Sequence, residues 1–259
     1  MKSPQFQCLL TLLFTLLTTT SLAEVNQIEK YTWKKTTTAK VVRIDNPIGD
    51  IRLRFGGYAD EFELIAMVQH IESVGHVQVA ERVEGDTYFL GVERINKATG
   101  ELIDLKQNDK ARIDFTVFVP QGRTVYATTE HGLAEARKMR DPVVLSTQSG
   151  QVFLRDNKNT VQASTVSGEI IANLIDIEST EKQTFKTVSG LIDLWIGDHS
   201  KNDVTMATSG DIISDFSTQM KRDMSQEPNK HVTVKANGGG NPIEATSKRG
   251  QIALRVYPQ

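Results

Sequence analysis

The sequence predicts an all-β fold: a β-solenoid-like stack of strand–turn repeats of about 20 residues, preceded by a region of antiparallel strands. Three observations carry this prediction. Thr-Val-Ser-Gly occurs twice, ending at Gly168 and Gly190, each time with isoleucine two places later, Ile170 and Ile192. Alignment on the glycine extends the series to Gly150, Gly168, Gly190, Gly210 and Gly250, at spacings of 18, 22, 20 and 40 residues, the last reading as two periods. Upstream, residues 111–119 alternate strictly, with Ala111, Ile113, Phe115, Val117 and Val119 on one face.

The chain opens with Lys2, an apolar run from Cys8 to Leu17, and Ser21-Leu22-Ala23. That is the pattern of a secretory signal peptide over residues 1–23, cleaved before Glu24 and too short to span a bilayer well. The single cysteine, Cys8, lies inside it. The exported chain is then free of thiols, which excludes disulfides, zinc–thiolate sites and cysteine nucleophiles. Of 30 basic side chains only Lys2 is lost with the leader, against 32 acidic ones. A balance so near neutral argues against a nucleic-acid partner and against a polybasic membrane patch. The expected location is the periplasm or the cell surface, with no transmembrane segment after cleavage.

Residues 24–122 read as the antiparallel region. Phe62, Leu64, Ala66 and Val68 alternate as a strand, residues 76–92 form a hairpin about Glu84-Gly85-Asp86, Asn96–Gly100 turns, and Pro120-Gln121-Gly122 closes the alternating strand. Residues 123–259 read as the repeat region. In each unit an apolar-alternating strand meets Ser-Gly, and glycine is expected there to supply a left-handed or bulged corner. The residues two and four places on face inward: Val152 and Leu154, Ile170 and Ala172, Ile192 and Leu194, Ile252 and Leu254. Gly132 marks a weaker copy and Gly49 an outlying one. Residues 217–230 break the period as a polar surface insertion, and residues 236–242 are a glycine turn. A closed solenoid and two packed sheets both satisfy this pattern.

The motifs that carry chemistry are thin. No G-x-S-x-G elbow is present, and a nucleophile has no reason to recur in five successive turns, so Ser167 and Ser189 read as structural. His70, His76, His131, His199 and His231 form neither H-x-x-x-H nor H-E-x-x-H. Asn237-Gly238-Gly239-Gly240 lacks the lysine and helix of a phosphate loop. Asp50, Glu169 and Asp211 follow their glycines, but Gln151, Leu191 and Gln251 break the row that calcium would need. No catalytic residue, cofactor or metal is expected. What stands out is the outward set Phe153, Ile171, Leu191, Trp195 and Ile213, where polar side chains are the rule. It reads as a partner contact, or as a face covered by residues 217–230 or by the N-terminal strands.

Taken together, "NPIGDIRLRF", the strand ending "VFVPQG", the T-x-S-G-x-I units and the closing "GGGNPIEATSKRGQIAL" resemble the bacterial putative-adhesin family of β-strand-repeat envelope proteins, a domain-of-unknown-function family. The resemblance covers roughly residues 41–256. It departs at Arg249, which stands where serine precedes glycine elsewhere, and around Gly132. It implies an exported, largely β protein with no established chemistry. The expected function is a non-enzymatic β-repeat scaffold binding an envelope protein or glycan. Its rivals are a polysaccharide-acting β-helix enzyme, marked by clustered carboxylates in a groove, and a structural envelope protein that self-associates through open edge strands.

Overall fold

The computed structural model describes residues 27–57, 60–70, 75–96, 98–103, 105 and 111–257. The expected leader and its cleavage site lie outside them. Two short strands diverge from each corner glycine, and neither can bury its apolar face alone. They do so by stacking: the first arms of all units join one sheet and the second arms another. Among the described residues the two sheets hold 12 and 10 strands, with no helix. The chain is therefore a β-roll of two packed sheets, solenoid-like in its parallel stacking, as the repeat predicted.

Seven rungs make up the stack. Their arms are Val41–Asp45 and Ile51–Phe55 about Gly49, Thr124–Thr129 and Ala134–Arg137 about Gly132, and Val143–Thr147 and Val152–Arg155 about Gly150. Val161–Ser164 and Ile170–Asn173 flank Gly168, Gln183–Thr187 and Ile192–Ile196 flank Gly190, Asn202–Thr208 and Ile212–Ser214 flank Gly210, and Asn241–Ser247 and Ile252–Val256 flank Gly250. The outlying copy at Gly49 and the weak copy at Gly132 are full members, paired in register with one another.

The order of the last rungs differs from the order of the chain. The Gly250 rung pairs on one side with the Gly190 rung and on the other with the Gly210 rung. The 40-residue gap is thus not two periods of the stack; the closing unit returns and sits between its predecessors. The cause is the intervening segment. Residues 217–227 are exposed, as a surface insertion should be, but they carry a strand: Gln219–Arg222 pairs with Lys230–Ala236, and that strand pairs antiparallel with Asn202–Thr208, occupying its far edge. The near edge is left for Asn241–Ser247. The predicted turn at Asn237–Gly239 makes the reversal, with three successive left-handed residues at φ 52°, 94° and 85°.

The corner glycines serve a purpose other than the one expected. None of Gly49, Gly132, Gly150, Gly168, Gly190, Gly210 or Gly250 has a positive φ. They are glycines because the neighbouring rung is too close: a Cβ on Gly150, Gly168 or Gly250 would lie 1.8 Å from the carbonyl oxygen of the glycine stacked against it. The threonine three places earlier completes the corner. Thr147, Thr165 and Thr187 each accept the N–H of their own corner glycine at 3.0 Å. Each also donates to a carbonyl of the previous rung, at 3.2, 3.3 and 3.4 Å. Buried amides and hydroxyls are thereby satisfied along the whole column. T-x-S-G is a stacking device.

Inward side chains alternate in bulk from rung to rung. Leu145 lies between Ala127 and Ala163, and Phe185 between Ala163 and Ala245. Across the layer Leu154 lies between Ala136 and Ala172. Strands about 4.8 Å apart cannot seat large side chains of arbitrary shape on every rung, so alanine rungs receive the overhang of their neighbours. One continuous core results, from Ala39 to Leu254. The N-terminal strands extend both sheets: Arg112–Val119 and Glu61–His70 beyond Ile51–Phe55, and the hairpin Gly75–Glu84 with Thr87–Asn96 beyond Val41–Asp45. The strand expected over residues 62–68 and the hairpin about Gly85 are both present.

Candidate functional site

Outward positions of the second-arm sheet lie in columns set by the glycine register. Phe153 and Ile171 are direct cross-strand partners. Ile213 is not their neighbour: Asp193 and the buried Ala253 stand between. Trp195 belongs to the next column, beside Asn173 on one side and Arg255 on the other. Leu191 sits nearest the corner, half-buried. The five residues singled out from the sequence therefore do not form one apolar column. Three of them, Phe153, Ile171 and Trp195, wall a single cleft, and Ile213 stands apart at the edge strand, 41% exposed.

The cleft has a volume of about 320 Å³ and a floor that includes Asn173, the short member of its column. Arg155 stands at one end. Tyr257 closes the other, held by its N–H to the Ile196 carbonyl at 2.9 Å, with its ring edge-on to Trp195 at 6.3 Å. The Arg255 guanidinium lies 5.5 Å from the Trp195 centroid and is fixed by Asp193 at 2.8 Å. Aromatic walls with an amide and a guanidinium at hand are what a binding cleft needs: apolar area for affinity, a few polar groups for orientation. Asn173, Arg155, Arg255 and Tyr257 were missed in the sequence. The first three lie five places after their glycines, as Trp195 does, and were passed over because the outward set was chosen for large apolar side chains; nothing in the pattern announces Tyr257.

Residues 217–230 do not cover this cleft, because their strand joins the first-arm sheet. Glu227 instead reaches Arg249 at the corner, 3.3 Å away.

The remaining candidates resolve into structural roles. Asp50 is half of a double ion pair with Arg52 at 2.6 Å and Arg112 at 2.8 Å, and accepts the Leu133 N–H at 2.9 Å. Glu169 accepts from Gln151 at 3.1 Å. His131 Nδ1 lies 2.6 Å from Ser149 Oγ, the geometry of a nucleophile and base, but Glu130 is 3.9 Å from the other ring nitrogen. The amides around that serine are already engaged: Ser149 N–H with the Glu130 carbonyl at 3.0 Å, and Gly150 N–H with Thr147. They cannot serve an oxyanion. His199 is exposed beside Asp198. The side chains of His70 and His76 lie outside the described residues.

Comparison with known proteins adds the following. The family model Toastrack DUF4097 matches residues 121–255. No curated protein matches the chain. Among solved structures, a putative cell adhesion protein from Clostridium sporogenes is similar at 10% identity, covering 88% of this chain and 100% of that one, with a TM-score of 0.44. A putative adhesin from Bacteroides fragilis is similar at 13% identity, covering 90% of this chain and 99% of that one, with a TM-score of 0.32. The family match takes in every corner from Gly132 to Gly250, and the chain belongs to the Toastrack DUF4097 family.

Proposed function

We propose that this protein is an exported, non-enzymatic β-roll scaffold that holds an envelope protein or glycan on the outer face of its second-arm sheet. The observation that carries this reading is the cleft walled by Phe153, Ile171, Trp195 and Tyr257, with Asn173 and Arg155 as its polar groups. Large apolar side chains gathered on an outer sheet face cost solubility, and a contact surface accounts for them. Export rests on the pattern of residues 1–23. The non-enzymatic reading is supported by the hydroxyls and amides of T-x-S-G being consumed in stacking. The test is a panel of envelope glycans, peptidoglycan fragments and surface proteins, read for both binding and turnover. Binding without turnover is expected, weakened roughly thirtyfold or more by Trp195→Ala or Phe153→Ser, the loss typical of an aromatic anchor. Turnover would overturn the non-enzymatic reading. Binding undiminished in both variants would overturn the cleft.

A further inference from the structure

The column that holds Trp195 does not end at Arg155. Arg155, Arg137 and Arg54 all lie five places after their corner glycines, and they are direct cross-strand partners on successive rungs. Asn173 and Trp195 continue the column on one side, and Phe118 partners Arg54 at the other end. Three guanidiniums thus follow one another on the outer sheet face, beginning at the mouth of the aromatic cleft.

Like charges set directly opposite destabilise a sheet, and this face does little to offset them. Arg54 has a carboxylate of its own, Glu135 at 2.7 Å. Arg137 and Arg155 share one: both approach the same oxygen of Asp156, at 3.7 and 3.6 Å, beyond the reach of a charge-assisted hydrogen bond. The buried Nε–H of Arg137 donates to no acceptor among the described residues. The surroundings are basic too. Residues 51–57, 134–140 and 152–158, the second arms and following turns of the rungs at Gly49, Gly132 and Gly150, hold seven arginines and lysines and only two carboxylates, Glu135 and Asp156. Asp50 holds Arg52, and Asp176 and Glu178 hold Lys158. Lys138 and Arg140 are exposed and pair with no carboxylate among the described residues. The same spans of the four later rungs reverse the balance, with Arg255 against Asp176, Asp193, Asp198 and Asp215. The missing negative charge is therefore localised at the Arg155 end of the cleft.

Spacing selects the kind of anion. The guanidiniums repeat once per rung, about 4.8 Å apart. An extended peptide crossing the rungs would present same-face side chains about 6.8 Å apart and fall out of step. A pyranose ring is about as long as one rung is deep, so a linear chain of uronic acids keeps step and carries one carboxylate per sugar. An arginine fork takes a carboxylate through two parallel N–H bonds. Trp195 and Phe153 offer apolar surface to the C–H face of a sugar, and the Asn173 amide serves its hydroxyls.

We propose that the ligand of this face is an acidic polysaccharide lying across the rungs, with one sugar against Trp195 and successive uronate carboxylates on Arg155 and Arg137. The proposal rests on the cleft being the binding face and names the chemistry it takes. Titration calorimetry of the full chain at low salt compares oligogalacturonate and oligomannuronate, the methyl ester of each, and a glutamate oligopeptide. At least one uronate should bind, its uncharged ester and the peptide at least tenfold more weakly. Arg137→Gln should weaken uronate binding roughly tenfold or more, as the loss of a charge-assisted hydrogen bond does. Asp156→Asn should strengthen it severalfold, because both guanidiniums are released while asparagine accepts the left-handed φ of 54°. Lys186→Gln, exposed on the other sheet, should change nothing. Absence of uronate binding at millimolar concentration, an equally tight peptide, or Asp156→Asn binding more weakly than wild type would overturn the proposal. Esters that bind as tightly as the acids, and lose binding on Trp195→Ala, would overturn it while leaving the cleft standing.

Discussion

Gly190 is stacked so tightly on Gly168 that a Cβ built on it would lie 1.7 Å from the Gly168 carbonyl oxygen. The obstacle is backbone, shared with the rungs on either side, so it cannot rotate away. Gly168→Ala or Gly190→Ala should therefore destabilise the protein by about 3 kcal/mol or more, at the upper end of overpacking costs. Gly91→Ala, where the nearest atom is 3.6 Å away, should be neutral or stabilising. Urea unfolding checks this, and equal midpoints for the Gly91 and Gly168 variants would contradict it.

The threonine of the motif should matter through its oxygen. Thr165→Val leaves the buried Gly168 N–H without its acceptor and should cost about 1–3 kcal/mol. Thr165→Ser should cost much less, because Ser247 makes the same bond to Gly250 at 2.7 Å. Comparable losses in the two variants would show that methyl packing, not the hydrogen bond, is what the column uses.

Removal of residues 241–259 should do more than trim an end. Asn202–Thr208 loses its parallel partner Asn241–Ser247, and Ile212–Ser214 loses Ile252–Leu254. Hydrogen exchange should show the amides of Ile212–Ser214, and those of Asn202–Thr208 that face Asn241–Ser247, unprotected, while Val143–Thr147 and Val161–Ser164 stay protected and the Asn202–Thr208 amides that face Lys230–Ala236 keep that partner. Retained protection across Ile212–Ser214 would mean that this segment stacks directly on the Gly190 rung.

The environment of Trp195 gives a fluorescence test. In a Trp33→Phe background, Tyr257→Ala should make the remaining tryptophan more accessible to iodide, because Tyr257 lies edge-on to it at 6.3 Å. Deletion of residues 217–230 should leave quenching unchanged, their strand being on the other sheet. Increased quenching on that deletion would restore the insertion as the cover of the cleft.

Acid should loosen the N-terminal end. Glu81 accepts from Lys35 at 2.9 Å and from Tyr88 at 2.7 Å, joining the first strand of one sheet to the hairpin of the other. Burial works against its charge, but hydrogen bonds from Lys35, Tyr88 and Trp33 outweigh it, and the carboxyl titrates below its ordinary value. A depressed folded pKa gives stability that is present above the unfolded value, about 4.3, and lost as pH falls through the folded one. In a Trp195→Phe background, Trp33 emission should shift to the red below about pH 4. Glu81→Gln should show the shifted emission at neutral pH and little further change in acid.

Much of the architecture is legible in the residues because period two is a local signal. Ile170 and Ala172, or Ile113 and Phe115, declare their face without reference to anything distant. The order of the rungs is not legible, since any T-x-S-G corner can stack on any other. The choice is made by the strand Lys230–Ala236 taking one edge of Asn202–Thr208, a pairing between segments whose residues carry no mark of it. The corner glycines were found by their spacing, yet their cause lies in the neighbouring strand, at a carbonyl 18 to 83 residues away in the chain. The cleft was partly visible. Phe153, Ile171 and Trp195 stood out as apolar at outward positions, whereas Tyr257 reaches the cleft only through the fold of the C-terminal residues.

The position of the closing unit inside the stack is tested most directly by disulfide trapping. Cys8 is the one cysteine of the sequence, so in a Cys8→Ala background any introduced pair is unambiguous. Glu244 is the direct cross-strand partner of Thr184 on one side and of Thr205 on the other. Neighbouring strands are about 4.8 Å apart, within reach of a disulfide, whereas strands two apart at about 10 Å are not. Under mild oxidation, Glu244→Cys paired with Thr184→Cys, and Glu244→Cys paired with Thr205→Cys, should each cross-link in folded protein, and Thr184→Cys with Thr205→Cys should not. Ready cross-linking of residues 184 and 205, with residue 244 bridging to neither, would contradict the inserted rung.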